Sequence, residues 1–228
     1  MYIYYVTIDE TTTQEDIKEE ERIYQVNPVI IQYIQQLDML TCEIEQFFKL
    51  IRAAVNTVPY RKRILGYVKA RDYPIYLLTP KKIDKSKANV LIVGGMHGNE
   101  PAGPYGILHI LQQKAITDIN LSFIPCINPH GLYLGQRCDA EINDPNRGYI
   151  HEERLKYKEP SECGKLLVEN VELLSKIASD ACISLHEDWE ENKFYCYTNE
   201  SRDSVTDNNA LASVILSCAM KHFQIKKR

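Results

Sequence analysis

The sequence predicts an α/β fold, a central mixed, largely parallel sheet flanked by helices on both faces, and three observations carry that reading. From residue 90 onward, short apolar runs alternate with longer segments of helical periodicity, the pattern of parallel strands joined by crossover helices. Ahead of them, two strand-like runs on either side of a turn make a hairpin edge for the same sheet. A chain of 228 residues, 44% of them hydrophobic, can bury one such sheet but not two full domains.

Read in order, the chain begins MYIYYVTIDE, which lacks a basic leader region, a long apolar core and a small-residue cleavage site, so neither a signal peptide nor a membrane span is expected. The acidic run DETTTQEDIKEEER, ending at residue 22, reads as a solvated connection or short helix. Asn27 then Pro28 marks a helix start, and Ile30, Ile31, Ile34, Leu37, Leu40, Ile44, Phe47, Phe48 and Ile51 recur at helical spacing, giving one long amphipathic helix to about Ala54. Residues 1–57 are thus an N-terminal lead packed on a main domain spanning 58–228. In that domain, runs 64–68 and 75–78 flank the turn Arg71, Asp72, Tyr73, Pro74. After a charged loop from Lys81 to Lys87 come strand 90–94, helix 102–114, strand 121–127, helix 161–178, strand 181–186 and helix 206–223. The last of these runs off into basic residues, so the domain is expected to be incomplete at its C-terminus.

The formal net charge of −4 offers no basic surface for nucleic acid or an anionic membrane, which points to a small-molecule or peptide partner. Cysteines 42, 126, 138, 163, 182, 196 and 218 are scattered without CxxC spacing, and their odd number argues against a complete disulfide framework. A reduced, cytoplasmic protein is the expectation.

The most informative stretch is VLIVGGMHGNEPAG, Val90 to Gly103, where an apolar strand ends in glycines and delivers His97 and Glu100. A His-x-x-Glu pair alone means little. A second histidine, His186, ends the apolar run from Ala181 to Leu185, so three ligand-type side chains stand at the mouths of two expected strands. In open α/β sheets, functional groups gather beyond the carboxyl ends of strands. His97, Glu100 and His186 together make the His₂Glu donor set that leaves the fourth position on a tetrahedral zinc open. Glu100 also falls at the entrance of the helix opened by Pro101, where a carboxylate suits the helix dipole.

A second cluster, NPHGLYLGQRCDAEINDPNRGY at 128–149, starts as a loop marked by Asn128, Pro129 and Gly131 directly after the strand ending at Ile127. It offers Arg137, Asn146 and Arg147. A guanidinium fork holds a carboxylate through two parallel hydrogen bonds and an Asn amide adds another, although on composition alone a surface loop with solvated arginines is the better explanation of these residues.

Taken in order, GGMHGNEPAG, NPHG…R…DPNRGY and ISLHEDW resemble the zinc metallocarboxypeptidases of the carboxypeptidase A type, with the related succinylglutamate desuccinylase and aspartoacylase group. The resemblance covers about residues 60 to 200, includes the hairpin before the zinc motif, and departs from the family's N-P-D-G at His130. It implies one zinc ion per chain held by His97, Glu100 and His186, with Arg137 stabilising the developing oxyanion. It further implies that Asn146 and Arg147 clamp the substrate carboxylate. The reaction implied is hydrolysis of an amide next to a free carboxylate, in a peptide or in an N-acyl amino acid.

The family's general base, a late Glu, has no evident counterpart; Glu187, Asp188, Glu190, Glu191 and Glu200 are the carboxylates that follow His186. The sequence therefore supports a carboxypeptidase, with an N-acyl amino acid deacylase or a non-catalytic module binding zinc and carboxylates as alternatives. Coincidental motifs on a plain α/β domain are the remaining reading.

Overall fold

The chain folds in the order β1 (Ile3–Ile8), α1 (Ile44–Thr57), β2 (Tyr60–Val68), β3 (Tyr73–Pro80), β4 (Asn89–Val93), α2 (Ala102–Gln112), β5 (Asn120–Ile124), α3 (Pro129–Leu134), α4 (Glu162–Glu169), α5 (Val171–Ile177), β6 (Ala181–Glu187), β7 (Tyr195–Asn199) and α6 (Ala210–Ala219). This computed structural model describes residues 3–8, 44–113, 116–149, 159–188, 194–199, 210–219 and 221. The strands form one sheet in the order β2-β3-β5-β4-β6-β1-β7. Its centre, β5-β4-β6-β1, is parallel, and antiparallel pairings with β3 and β7 close either side.

Side-chain alternation distributes the core over both faces of this sheet. From β3, Tyr76 and Leu78 join one cluster with α1 and α2, through Phe47, Phe48, Ile51, Ile107 and Leu108. Their neighbours Ile75 and Leu77 join Leu91, Val93 and Ile124 in a second cluster, covered by Cys163, Leu166 and Leu174 of α4 and α5. Helices thus flank both faces, as the alternating pattern predicts. In α1 the buried residues Ile44, Phe47, Phe48, Ile51 and Val55 follow the three-four spacing of an amphipathic helix. The expected helix start at Pro28 and the acidic run after Asp9 lie outside the described residues, as does the expected helix start at residue 206.

Three local differences from the sequence reading have physical causes. The loop expected after Ile127 is the short helix α3. Asn128 caps it by accepting from the Gly131 N–H, Pro129 occupies its first turn, and Gly135 ends it at φ 62°, so residues that signal a turn here start and stop a helix. The single helix expected over 161–178 is two, α4 and α5, meeting at Asn170, whose amide donates to Leu65 O and Leu166 O. Strand β5 stops at Ile124, before Pro125, yet the backbone stays paired further on, because Ile127 N donates to Gly94 O and Asn128 N to Gly95 O.

Those last bonds lay the start of α3 against the segment that follows β4. Gly95 turns that segment at φ 61°, a conformation that Cβ-bearing residues rarely take. Three residues on, a Cβ at Gly98 would collide with the backbone of Gly131 and Leu132. Among the described residues no helix is long and apolar enough to cross a membrane. Because the obstruction at Gly98 is backbone, Gly98→Ala should push α3 off the loop and cost about 2 kcal/mol or more, which urea unfolding monitored by circular dichroism would measure.

Candidate metal centre

The parallel strands β4, β5 and β6 end at the same edge, and each delivers part of the site. The turn after β4 carries His97 and Glu100, the segment after β5 leads through α3 to Arg137 and Asp144, and β6 ends with His186 and Glu187. His97, Glu100, Asp144, His186 and Glu187 are all buried.

Glu100 is the hub. Its Oε1 accepts from His97 Nδ1 at 2.6 Å and its Oε2 from His186 Nδ1 at 2.7 Å. The Glu187 backbone N–H adds a bond to Oε2 at 3.3 Å, and Arg137 Nη1 lies 3.4 Å from Oε1. The two imidazole rings stand 4.9 Å apart. The far side of each ring is held as well: His97 Nε2 donates to Asp144 Oδ1 at 3.1 Å, and Ser184 Oγ donates to His186 Nε2 at 3.1 Å.

Both imidazoles therefore turn Nδ1 toward one carboxylate, and the ligand atoms of His97, Glu100 and His186 all lie within 4.8 Å of one another. Two imidazole nitrogens and one carboxylate are the donors that divalent zinc takes in open sites. The partner on His97 Nε2 is of the kind that fixes a ligating histidine's orientation. The residues present thus fit a metal ion.

Electrostatics support the geometry. Burial opposes ionisation of Glu100, but the hydrogen bonds from His186 and His97 outweigh it and hold its carboxyl down at about 2. Burial likewise disfavours a charged His97, and Asp144 and Glu100 overcome this and raise its pKa. Asp144 is desolvated too, yet His97 and the Asn146 N–H hold its carboxyl well below the usual carboxylate range. Asp144, His97, Glu100 and His186 thus form one hydrogen-bonded chain, and a metal ion would take the place of the protons between Glu100 and the two Nδ1 atoms.

Arg137 is brought to the centre, where Nε and Nη2 both reach Asp144 Oδ2 at 3.2 Å. Asn146 and Arg147 stand on the turn that Asp144 starts: the Asp144 carboxylate accepts from Asn146 N at 2.8 Å, Arg147 N donates to Asp144 O, and the exposed Arg147 places Nη1 3.0 Å from Asn146 O. Of the carboxylates after His186, Glu187 accepts from Ala102 N at the first turn of α2, and Asp188 accepts from Tyr195 Oη at 2.6 Å. Glu190, Glu191 and Glu200 lie outside the described residues. Sequence reasoning assigned no part to Asp144 or Ser184; Asp144 lay inside the DPNR motif, which was the available signal.

No model of a known protein family matches the chain. Among curated proteins, carboxypeptidase 2 of Trichophyton tonsurans is 30% identical over 120 residues, covering 46% of this chain and 22% of that protein. The chain thus spans about a fifth of the length of the curated relatives it matches. Among solved structures, a Shewanella amazonensis protein assigned to the metallopeptidases aligns at a TM-score of 0.71 with 30% identity, over 82% of this chain and 70% of that one. A metallo-carboxypeptidase from Burkholderia cenocepacia shares the fold at a TM-score of 0.53 and 18% identity, over 65% of this chain and 42% of its own. Fold, His-Glu-His group and relatives together define a domain of the metallopeptidase class. Within that class, the chain belongs to the zinc carboxypeptidase-like family.

Two outcomes test the centre. Because the His97 pKa is raised, its ion pair stabilises the metal-free protein fully below pH 6.5 and is lost as pH rises through the higher folded value. Because the Glu100 pKa is lowered, its contribution is full above pH 4.5 and is lost as pH falls through about 2. Thermal melts in chelator should therefore be highest between those limits, and added zinc should remove the alkaline decline. Separately, Asp144→Asn should weaken zinc affinity by about 10-fold to 100-fold, read by competition with a chromophoric chelator.

Proposed function

We propose that the chain is a zinc-dependent hydrolase that cleaves an amide next to a free carboxylate, with the metallocarboxypeptidase reaction as the reading favoured over N-acyl amino acid deacylation. The observation that carries it is the meeting of His97, Glu100 and His186 at one strand edge with Arg137 hydrogen-bonded into the same cluster. His97 Nδ1, His186 Nδ1 and the Glu100 carboxylate would hold one zinc ion. Zinc bound there supplies a Lewis acid that polarises the scissile carbonyl and makes water nucleophilic near neutral pH.

The remaining work falls to the chain's own side chains. Asp144 accepts a hydrogen bond from His97 Nε2 and so would keep Nδ1 turned toward the ion. Arg137, about half exposed, would exchange its bonds to Glu100 and Asp144 for bonds to the oxyanion that forms as the carbonyl is attacked. Asn146 and Arg147, on the turn that follows Asp144, would bind the terminal carboxylate and so hold the adjacent amide in place. A free carboxylate next to the amide, as in a peptide C-terminus or an N-acyl amino acid, is the substrate feature this arrangement would select. The N-P-H-G segment and the carboxypeptidase relatives favour the peptide.

A second reading, a zinc-holding module that binds peptide C-termini without turnover, is favoured by one observation. Glu187 and Asp188, the described carboxylates following His186, are engaged at the α2 N-terminus and with Tyr195. Loss of a positioned base slows hydrolysis by about 10² to 10⁴-fold.

Mass spectrometry of products from peptide and N-acyl amino acid libraries decides between these. The expected result is repeated zinc-dependent release of C-terminal residues, abolished in His97→Ala. Arg147→Ala should raise KM by about 10-fold or more through loss of a charged hydrogen-bond pair. Stoichiometric zinc and peptide binding without turnover would establish the second reading.

A further inference from the structure

The segment that carries Arg137 and Asp144 is organised around a residue that takes no part in the metal centre. Asp139 is 3% exposed, yet the residues that follow it, Ala140 to Ile142, are all exposed. Its Oδ1 accepts from Glu141 N and Asn143 N, both at 2.9 Å, and its Oδ2 accepts from Glu162 N, the first residue of α4, at 3.1 Å. The backbone closes the same ring, with Asp139 N donating to Asn143 O at 3.0 Å and Ile142 N to Asp139 O at 3.1 Å. A buried carboxylate is costly unless hydrogen bonds satisfy it, so the three N–H groups must stay where they are.

The ring is closed tightly enough to hold Ile142 at φ 62° with its side chain 84% exposed. A β-branched residue in that region is strained and persists only where surrounding bonds dictate it. On the other side of Arg137, the buried Asn128 amide holds Arg137 O at 3.3 Å and Cys138 O at 3.0 Å. Arg137 therefore emerges from a backbone fastened at α3 by Asn128 and at α4 by Asp139. Asp144 leaves the ring directly after Asn143.

We propose that Asp139 is a positioning residue: its carboxylate fastens the 139–143 ring to the start of α4, and this sets where Arg137, Asp144, Asn146 and Arg147 stand relative to the His97–Glu100–His186 group. The role of those residues toward substrate rests on the function proposed above, whereas the effect on His97 through Asp144 does not. Ala at 139 releases all three N–H groups. Asn keeps one acceptor oxygen for Glu141 N and Asn143 N but turns its NH₂ toward Glu162 N.

The test uses the chain as wild type, Asp139→Ala, Asp139→Asn and the core variant Ile51→Val, which lowers stability at a side chain that makes none of the site's hydrogen bonds. Zinc affinity is read by chelator competition on folded protein, and KM and kcat with a peptide bearing a free C-terminus. Asp139→Ala is expected to weaken zinc binding about 10-fold and to raise KM more than it lowers kcat. Asp139→Asn should fall between it and wild type, and Ile51→Val should change melting temperature alone. Asp139 variants that melt lower but keep wild-type zinc affinity and KM would overturn the proposal, as would equal changes in Ile51→Val. If Asp139→Ala does not fold, Asp139→Asn decides on the same criteria. Should wild type hold zinc but hydrolyse nothing, the functional reading fails while zinc affinity still judges Asp139.

Discussion

Two imidazoles in a buried site turn Nδ1 to the same point because Glu100, at the entrance of a helix, places its carboxylate between them. Its carboxylate faces His97 through one oxygen and His186 through the other, so a residue after β4 and a residue at the end of β6 are drawn to one point. The parallel pairing of β4 with β6 makes this possible, because it brings both strand ends to the same edge. The coupling is also mechanical. The peptide N–H of Glu187 reaches Glu100 while the Glu187 side chain reaches the first turn of α2, so the strand carrying one histidine is tied to the helix entrance that carries the hub.

The elements that could be read from the sequence are those whose periodicity is enforced by burial on two faces. Strand β3 alternates Ile75 and Leu77 against Tyr76 and Leu78, and both sets find a core. The helix holding Ile107, Leu108 and Leu111 repeats at three and four residues for the same reason. Strands β1 and β7 went unassigned, although Tyr4, Tyr5, Val6, Thr7 and Ile8 have strong β character. What establishes β1 is its partners, β6 and β7, and partners distant in sequence leave no local pattern. Helix α3 was hidden differently, since Asn, Pro and Gly mark turns and helix ends alike.

In the site, the legible part was the set of side chains standing at strand ends: His97, Glu100 and His186. Asp144 is a different case. Its contact with His97 spans 47 residues and depends on how the 137–147 segment folds back, which no periodicity encodes. Glu187 could be weighed only as a base, because its attachment to Ala102 exists once α2 and β6 are packed together. The side chains that meet at the strand edge were thus visible in the sequence, and the contacts that aim them became visible with the fold.

The position of β1 bears on how the protein is made. Residues 3–8 lie between β6 and β7, with Ile3 beside Cys182 and Ile8 beside Glu187. Strand β1 consequently waits for the segments that form β6 and β7 before its nearest neighbours exist. Contacts so remote in sequence slow the final assembly step. Until it occurs, the strand bearing His186 presents an unpaired edge on which a nascent chain is open to aggregation or to chaperone capture.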